Sequence, residues 1–259
     1  MAKEENTIAA VDRAADILDY LYEKGAECSV SAISADLQLY KSTVHRMLQT
    51  LKARGYVYQN PVTSHYGLGL RLFLLGSRVQ QNTATVELVK PVAQELVAKY
   101  NECVHITVPY SLSPPTEAPK QLLIGKIMNP NNVLTVAPPV GAVTFCHSSA
   151  SGKCMMAFSP HGAQARQNRP ALTALTSCTI TDWGKLEEQL EAIRRNGYAE
   201  EDGETEMGLS CTAVPVMVRG GLMLVLSVSG PTARLRSLPA QELVADLKKA
   251  ADELSALFS

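Results

Sequence analysis

The cysteines and histidines carry the most reactive side chains of this sequence and show whether it could encode an enzyme. Six cysteines are scattered without a Cys-x-x-Cys pair: Cys28, Cys103, Cys146, Cys154, Cys178 and Cys211. No His-Glu-x-x-His, Gly-x-Ser-x-Gly or P-loop pattern accompanies them. Cys146 and His147 are neighbours on a predicted strand and would point to opposite faces, so they cannot form a nucleophile–base pair. We therefore expect free thiols, no enzyme and no cofactor.

A metal or redox site is the alternative that these residues leave open. His105, Cys146, His147, Asp202 and Cys211 are far apart in the sequence, and only the fold could bring them together. Zinc sites usually contain closely spaced ligands, which this sequence lacks. We expect no metal, and a Cys/His-dependent metal or redox sensor or enzyme remains the alternative.

A second group of residues has hydroxyls and a thiol that suit ligand binding. The run Ser149-Ala150-Ser151-Gly152-Lys153 precedes a predicted helix, and free N–H groups at a helix start bind carboxylates well. Ser151 could equally be the N-cap of that helix. Ser227 and Ser229 alternate on a predicted strand and share one face. Beside Cys211 their hydroxyls need partners, which either a ligand or the backbone can supply.

The charges are distributed unevenly along the chain, although the net charge is −1. Residues 37–86 contain six Lys and Arg residues and no Asp or Glu, whereas residues 1–36 contain eight acids and three bases. A basic stretch is often only a solvated face. An acid-free block in a nearly neutral protein is also typical of a surface that binds the phosphates of nucleic acids.

The basic block coincides with a predicted three-helix unit and a hairpin. The predicted elements are helices at 7–24, 32–37 and 41–54 and strands at 55–58 and 65–68. Ser31 is the expected N-cap of the second helix. The segment Asn60-Pro61-Val62-Thr63-Ser64 is a turn cluster between the strands. This order is typical of a winged helix-turn-helix, in which the second helix of the pair enters the major groove and the hairpin contacts the DNA backbone.

The third helix has an apolar stripe and a polar, cationic face. Val44, Met47, Leu48 and Leu51 form the stripe, and Arg46 projects from the opposite side. The combination of elements, charge and face predicts binding to double-stranded DNA. The predicted DNA-contacting residues are Ser31, Lys41, Ser42, Thr43, His45, Arg46 and Gln49.

The remainder of the chain is predicted to form a linker helix and one α+β domain. Residues 70–82 are rich in leucine and more apolar than a lone helix in water should be, so we expect a second subunit to cover them. The predicted domains are residues 1–69, 70–82 and 83–259. In the last, helices are expected at 85–100, 151–158, 182–195 and 239–258 and strands at 104–110, 121–127, 133–136, 209–216 and 222–228, in a largely antiparallel sheet.

Several motifs closely resemble those of the IclR family of bacterial transcription regulators. The N-terminal motif runs from Lys41-Ser42-Thr43-Val44-His45-Arg46 to Arg54-Gly55-Tyr56-Val57 and Tyr66-Gly67-Leu68-Gly69. The C-terminal motifs include His147-Ser148-Ser149-Ala150-Ser151-Gly152-Lys153, Asn196-Gly197-Tyr198-Ala199 and Leu226-Ser227-Val228-Ser229-Gly230-Pro231. Tyr40 departs from the pattern, since the family usually has proline there.

The resemblance implies a GAF-like C-terminal domain that binds a small organic acid or aromatic compound, and dimers that can pair into tetramers. It implies an effector pocket formed by the backbone of Ala150 and Ser151, by Glu201, Cys211, Ser227 and Ser229, and by Phe145 and Leu209 as an apolar wall. An ionised Glu201 would repel an anion, so it must be protonated when the anion binds, or accept a hydrogen bond from the ligand.

Composition and apolar run lengths complete the sequence-based prediction. Hydrophobic residues make up 46% and charged residues 19%, as in a globular protein. No apolar run reaches the ~20 residues of a membrane helix, and the N-terminus has no secretory signal, so we expect a cytoplasmic protein. The sequence predicts a regulator that binds a partly palindromic operator as a dimer or tetramer and responds to a small molecule.

Overall fold

The computed structural model describes residues 8–82, 84–110, 116–130 and 138–259, with side chains at all of these except 80–82 and 84. The chain divides into two compact units, residues 1–84 and 85–259. Within the described residues no helix is both long and apolar enough to cross a membrane.

The first unit is a winged helix-turn-helix. Its elements are α1 (Ala9–Lys24), α2 (Val30–Asp36), α3 (Lys41–Ala53), β1 (Val57–Gln59), β2 (Tyr66–Leu68) and α4 (Leu70–Asn82). Ile17, Ile33, Val44 and Leu48 are fully buried in its core. β1 and β2 pair antiparallel and form the wing. β1 begins two residues later than predicted, because Gly55, at φ 76°, ends the preceding helix, and β2 begins one residue later than predicted.

The N-cap prediction for the second helix is wrong by two residues. Ser29, rather than Ser31, precedes α2 in an extended conformation, and its hydroxyl accepts a hydrogen bond from the backbone N–H of Ala32 at 3.1 Å. Ser31 lies inside α2 and is exposed. Both serines suit a cap by type, and the chain geometry selects the first.

The second unit is an α+β domain built on one six-stranded antiparallel sheet. Its elements are α5 (Ala84–Tyr100), β3 (Cys103–Tyr110), β4 (Lys120–Ile127), β5 (Val143–Phe145), α6 (Ala150–Phe158), α7 (Pro160–Asn168), α8 (Trp183–Asn196), β6 (Ala199–Asp202), β7 (Leu209–Val218), β8 (Gly221–Pro231), α9 (Thr232–Leu235) and α10 (Ala240–Leu257). The strand order is β5-β4-β3-β8-β7-β6. Arg219 and Gly220, both with positive φ, form the two-residue turn between β7 and β8.

Helices cover both faces of this sheet. α5 and α10 pack on one face with Leu224, Leu226 and Val228 of β8, whereas α6 and α8 pack on the other with Val225. Since side chains alternate along a strand, Ser227 and Ser229 lie on the α6/α8 face.

Several predicted features of this unit need correction. The sequence prediction missed β5, β6, α7 and α9, each of nine residues or fewer. Cys146 and His147 follow β5 and belong to no strand, so their predicted opposite orientation has no basis. The predicted strand at 133–136 lies outside the described residues.

Candidate functional site

Six of the seven residues that the sequence predicts to contact DNA lie on α3, and the seventh, Ser31, lies on α2. Val44, Leu48 and Leu51 are buried, whereas the polar side chains of the opposite face are exposed. Exposed are Lys41, Ser42, His45, Arg46 and Gln49, and Thr43 is half-buried at the flank. Because residues 37–86 contain no acid, α3 itself contributes no carboxylate that would repel phosphate.

Gln49 is held in place by the wing. Its Nε2 donates to the hydroxyl of Tyr66 at 3.0 Å, and Tyr66 is only 1% exposed. The same Nε2 lies 3.5 Å from Nε2 of His45. Lys52, one turn further along α3, donates to Oε1 of Gln59 in β1 at 2.8 Å. These two hydrogen bonds hold α3 in a fixed position relative to the hairpin.

A cavity of about 60 Å³ lies in the second unit on the α6/α8 side of the sheet. Its walls come from β3, β4, β7 and β8, from the start of α6 and from the segments around β5 and β6. The lining residues are His105, Thr107, Gln121, Leu123, Pro138, Thr144, Ser149, Ser151, Glu201, Thr205, Leu209, Ser210, Cys211, Ser227 and Ser229. Six of the eight predicted effector residues therefore share one cavity.

Strand register brings the thiol and the hydroxyls of the cavity together. Ser229 of β8 pairs with Cys211 of β7, and Cys211 pairs with Glu201 of β6, so the three form a row across the sheet. Ser229 Oγ donates to Cys211 Sγ at 3.0 Å. Ser227 Oγ lies near the same thiol but is buried without a hydrogen bond of good geometry among the described residues. A buried hydroxyl that faces a cavity in this way is suited to a ligand.

Gln121 organises the opposite wall. Its Nε2 donates to Ser149 Oγ at 2.7 Å and to Thr144 Oγ1 at 3.1 Å, while its Oε1 accepts from Ser151 Oγ at 2.8 Å. Ser149 is the N-cap of α6, since its hydroxyl accepts from the N–H of Gly152. The alternative that placed the cap at Ser151 is wrong, and the Ser151 hydroxyl is directed to Gln121 instead.

Glu201 is the carboxyl group of the cavity. It is 7% exposed, and one oxygen accepts from the backbone N–H of Glu204 at 2.9 Å. Burial raises its pKa from the usual 4.5 to about 7, because desolvation penalises the charged form. Near neutral pH this carboxyl can therefore be protonated, which allows an anion to bind beside it.

A buried ion pair lies next to the cavity. Lys153 of α6 is 0% exposed, and its Nζ contacts Oε1 of Glu204 and donates to Oε1 of Gln189 at 2.7 Å. Glu204 follows Glu201 closely in sequence, so the ion pair and the bond to Glu201 both hold the segment after β6. Thr205 of that segment lines the cavity and donates to the carbonyl of Ser148 at 2.6 Å.

Phe145 and Ala150 are not part of the cavity wall. Thr144 and Phe145 alternate on β5, and the inward position belongs to Thr144, which pairs with Gln121. The Phe145 ring contacts His147 instead, with ring centroids 5.5 Å apart. Sequence reasoning missed Gln121, Thr144 and Thr205, because no local pattern indicates strand register.

The thiol and the histidine of the cavity, Cys211 and His105, are uncharged. Burial raises the pKa of Cys211 to about 12 and lowers the pKa of His105 to about 4. Across the described ranges, no three His, Cys, Asp or Glu side chains come close enough to hold a metal ion. Neutral donors and acceptors, with one carboxyl that can be protonated, suit non-covalent binding of a small polar molecule.

A winged helix-turn-helix in the same chain as a domain with a polar cavity defines a one-component transcription regulator. Residues 10–61 match the model of the IclR helix-turn-helix domain, and residues 78–256 match that of the bacterial transcriptional regulator IclR C-terminal domain. The chain belongs to the IclR family of bacterial transcription regulators. It is a ligand-responsive, DNA-binding regulator, as the sequence predicted.

Similar proteins agree with this assignment over the whole chain. The regulator KdgR of Escherichia coli is 32% identical over 98% of this chain and 94% of its own length. The transcriptional repressor IclR of the same species is 24% identical over 97% and 90%. The crystal structure of an IclR transcriptional regulator from Alicyclobacillus acidocaldarius is 26% identical and superimposes with a TM-score of 0.81, covering 98% of this chain and all of that one.

Proposed function

We propose that the exposed face of α3 reads the major groove of a partly palindromic operator and that the wing contacts the adjacent backbone. The observation that carries this proposal is the acid-free, cationic face of α3, which is exposed opposite the buried stripe and tied to the wing by Gln49. Arg46 is the strongest candidate for a base contact, because an arginine can form two hydrogen bonds to guanine. Lys41, Ser42 and Thr43 are proposed to contact phosphate near the helix start.

Substitution of Arg46 tests this assignment. The probe is a duplex that the wild-type protein selects from a random-sequence pool. Arg46→Ala should cost about 1–3 kcal/mol for the selected sequence if Arg46 contacts a base, or weaken all sequences alike if it contacts phosphate. Unchanged affinity and unchanged salt dependence would show that Arg46 does not face DNA. Arg13→Ala on α1 is the control for a lost positive charge.

We propose that the cavity is the effector site, with Ser151, Glu201, Leu209, Cys211, Ser227 and Ser229 as ligand contacts. The unpartnered hydroxyl of Ser227 is the observation that carries the proposal, and the Ser229–Cys211 pair lies next to it. The volume of about 60 Å³ favours a compact organic acid. Its carboxylate would accept hydrogen bonds from the hydroxyl of Ser227 and from a protonated Glu201.

Two substitutions in the cavity test the effector site. The effector is first sought by thermal shift of the full chain with small carboxylates and aromatic acids, since a ligand of the native state raises its stability. Ser229→Ala and Cys211→Leu should abolish the effect of that compound on DNA binding and leave ligand-free affinity within a few-fold of wild type. Cys178→Ser, outside the cavity, should respond normally. A normal response in both cavity variants would place the effector elsewhere.

We propose that the protein is a homodimer that can pair into tetramers, with α4 in the dimer interface. Leu70, Phe73 and Leu74 are exposed on α4, with Phe73 70% exposed, which is costly unless another subunit covers them. Sedimentation at micromolar concentration should show a species larger than the 28.0 kDa chain. Leu74→Glu should shift the equilibrium toward monomer and weaken DNA binding, and a monomeric wild type would overturn the proposal.

The proposed place of action is the cytoplasm, where operator DNA is found. We propose no catalytic role, since the similar proteins are transcription regulators and the cavity thiol and histidine are neutral. To test this, the full chain is incubated with the compound found by thermal shift. Mass spectrometry should then show that the mass of the compound has not changed.

A further inference from the structure

The fold brings one carboxylate to the base of the otherwise acid-free wing. Glu27 lies in the loop between α1 and α2, outside the acid-free segment 37–86. Its Oε1 accepts a hydrogen bond from the hydroxyl of Tyr58 in β1 at 2.7 Å. Its Oε2 accepts from Nδ2 of Asn60 at 2.8 Å, and Nδ2 also lies 3.1 Å from Oε1. Thr63 Oγ1 makes a longer contact at 3.4 Å.

These bonds determine where the wing turn begins. Asn60 is the first residue of the turn, and its Oδ1 accepts from the backbone N–H groups of Val62 at 2.9 Å and Thr63 at 3.2 Å. The side chain of Asn60 therefore joins Glu27 on one side to the turn backbone on the other. Val62, at the tip of the turn, is 90% exposed. Glu27 thus holds the base of a hairpin whose tip projects into solvent.

A negative charge at this place opposes the binding of DNA by simple electrostatics. The hydrogen bond from Tyr58, followed by those from Asn60 and Thr63, holds the pKa of Glu27 below its usual range, so the group stays ionised at neutral pH. The half-buried carboxylate is directed to the wing through four acceptor contacts. Its effect on binding is therefore set by two opposing contributions: repulsion of phosphate and ordering of the wing.

We propose that ordering prevails and that Glu27 is a positioning residue, which holds the wing where its tip can contact the DNA backbone. Glu27 itself touches no DNA and acts through Asn60 and Tyr58. The proposal rests on the proposed DNA contact of the wing. Tyr58 contributes a second restraint, because its ring packs over Gly67 of β2, where an added Cβ would come within 2.7 Å of Tyr58 Cε1.

Phosphate repulsion and wing ordering predict opposite changes in DNA affinity when Glu27 is replaced, so the substitution distinguishes them. The measured quantity is the affinity of the full chain for the selected duplex over a series of salt concentrations. Glu27→Ala should weaken DNA binding about three- to tenfold. The salt slope, which is the slope of log affinity against log salt concentration, should become shallower by about one for each wing that loses its phosphate contact. Glu27→Gln, which keeps one acceptor oxygen, should give a smaller loss. Tighter binding in both variants would overturn the proposal, because it would show that repulsion prevails.

A charge control and a double-mutant cycle separate positioning from general effects. Glu23→Ala removes an exposed acid from the last turn of α1, and the salt slope of this variant should equal that of wild type. Val62→Asp puts a negative charge at the exposed tip and should weaken binding if the wing reaches DNA. In the Val62→Asp background, Glu27→Ala should have little further effect, because the wing contact is already lost.

The outcomes distinguish this proposal from the proposed function. If Val62→Asp has no effect on affinity, the wing does not contact DNA, and that part of the proposed function fails together with this inference. If Val62→Asp weakens binding but Glu27→Ala adds the same loss in both backgrounds, the wing contact stands and positioning by Glu27 is wrong. Far-ultraviolet circular dichroism of Glu27→Ala should match wild type, since a loss of helix would make the affinity loss structural.

Discussion

The proposed DNA-binding surface and the proposed effector cavity use similar polar side chains in opposite ways. On α3, Ser42, Arg46 and Gln49 lie within one helix and are exposed. In the cavity, Glu201 and Ser229 come from different strands, are buried and meet through strand register. The first surface is local in sequence and hydrated, whereas the second is non-local and desolvated.

This difference determines what a substitution costs. An exposed polar side chain keeps its water until DNA displaces it, so its removal affects binding and leaves folding almost unchanged. A buried polar group has already lost its water, and its removal leaves a partner without a hydrogen bond. We therefore expect substitutions of buried polar groups in the second unit to cost more stability than substitutions of the exposed residues on α3.

The buried Lys153–Glu204 pair should give the largest loss of stability. Lys153→Ala leaves the carboxylate of Glu204 buried without its cation and should lower the free energy of unfolding of the second unit by about 3–5 kcal/mol. The fluorescence of Trp183, the one tryptophan of the sequence, reports on this unit during chemical denaturation. Lys24→Ala breaks the half-exposed pair with Asp36 in the first unit and should cost at most about 1 kcal/mol.

A paired apolar replacement tests whether the unpaired charge causes that loss. In the double variant Lys153→Met with Glu204→Leu, neither charge of the pair remains, and most of the stability should return. If the double variant is no more stable than Lys153→Ala, loss of packing at α6 rather than an orphaned charge explains the effect. The Lys24–Asp36 pair offers no such rescue, since its charges stay hydrated.

The same contrast explains how much could be predicted from the sequence. The apolar stripe of α3 and its exposed face are confirmed, because a 3.6-residue period needs no information beyond the segment itself. Gln121 and Thr144 could not be recognised as a pair, because their approach depends on the register between β4 and β5. The cavity residues that were predicted came from the resemblance to a family and from alternation on β8.

Short elements and caps were the other failures. β6 has four residues at the sheet edge, too few for a repeat to be visible, and yet it carries Glu201. Ser29 and Ser31 have the same side chain, so helix-capping preference alone could not choose between them. In both cases the local sequence permits more than one structure, and tertiary contacts determine which one forms.

The pH dependence of stability should also distinguish the cavity from the surface. Glu201 has a folded pKa of about 7 against an ordinary value of 4.5, so the folded state holds its proton more tightly. Its contribution to stability is therefore fully present below pH 4.5 and is lost as the pH rises through about 7. Between these two pH values, the free energy of unfolding of wild type should fall by about 2–3 kcal/mol relative to that of Glu201→Gln.

Denaturation curves of Trp183 fluorescence across this pH range provide the measurement. Glu200→Gln, at the exposed neighbouring position, is the matched control and should follow wild type. For Glu27 in the first unit the sign is reversed: its lowered folded pKa stabilises the protein above its ordinary pKa, and this contribution is lost as the pH falls. A pH dependence that is the same in wild type and Glu201→Gln would contradict the buried, protonatable state of Glu201.

The corrected N-cap gives a smaller and purely local effect in the first unit. Ser29→Ala removes the acceptor for the N–H of Ala32 and should lower the free energy of unfolding by about 1 kcal/mol. Ser31→Ala, inside α2, should change it by less than about 0.5 kcal/mol. Amide hydrogen exchange at Leu48, in the core of this unit, measures both. A larger loss from Ser31→Ala would restore the N-cap that the sequence predicted.

Tyr40→Pro should produce a small change of the opposite sign and should stabilise the first unit by about 0.4–1 kcal/mol. Tyr40 is 85% exposed and has φ −62° at the start of α3, a value that proline adopts without strain. Its carbonyl accepts from the N–H groups of Thr43 and Val44, and proline keeps that carbonyl. The gain comes from the unfolded chain, which loses conformational freedom, so Tyr40→Ala should show no such gain in hydrogen exchange at Leu48.

Equal losses of affinity in the two variants for the selected duplex would show that the tyrosine ring contacts DNA. A lower stability in Tyr40→Pro than in Tyr40→Ala would contradict the relaxed entry into α3.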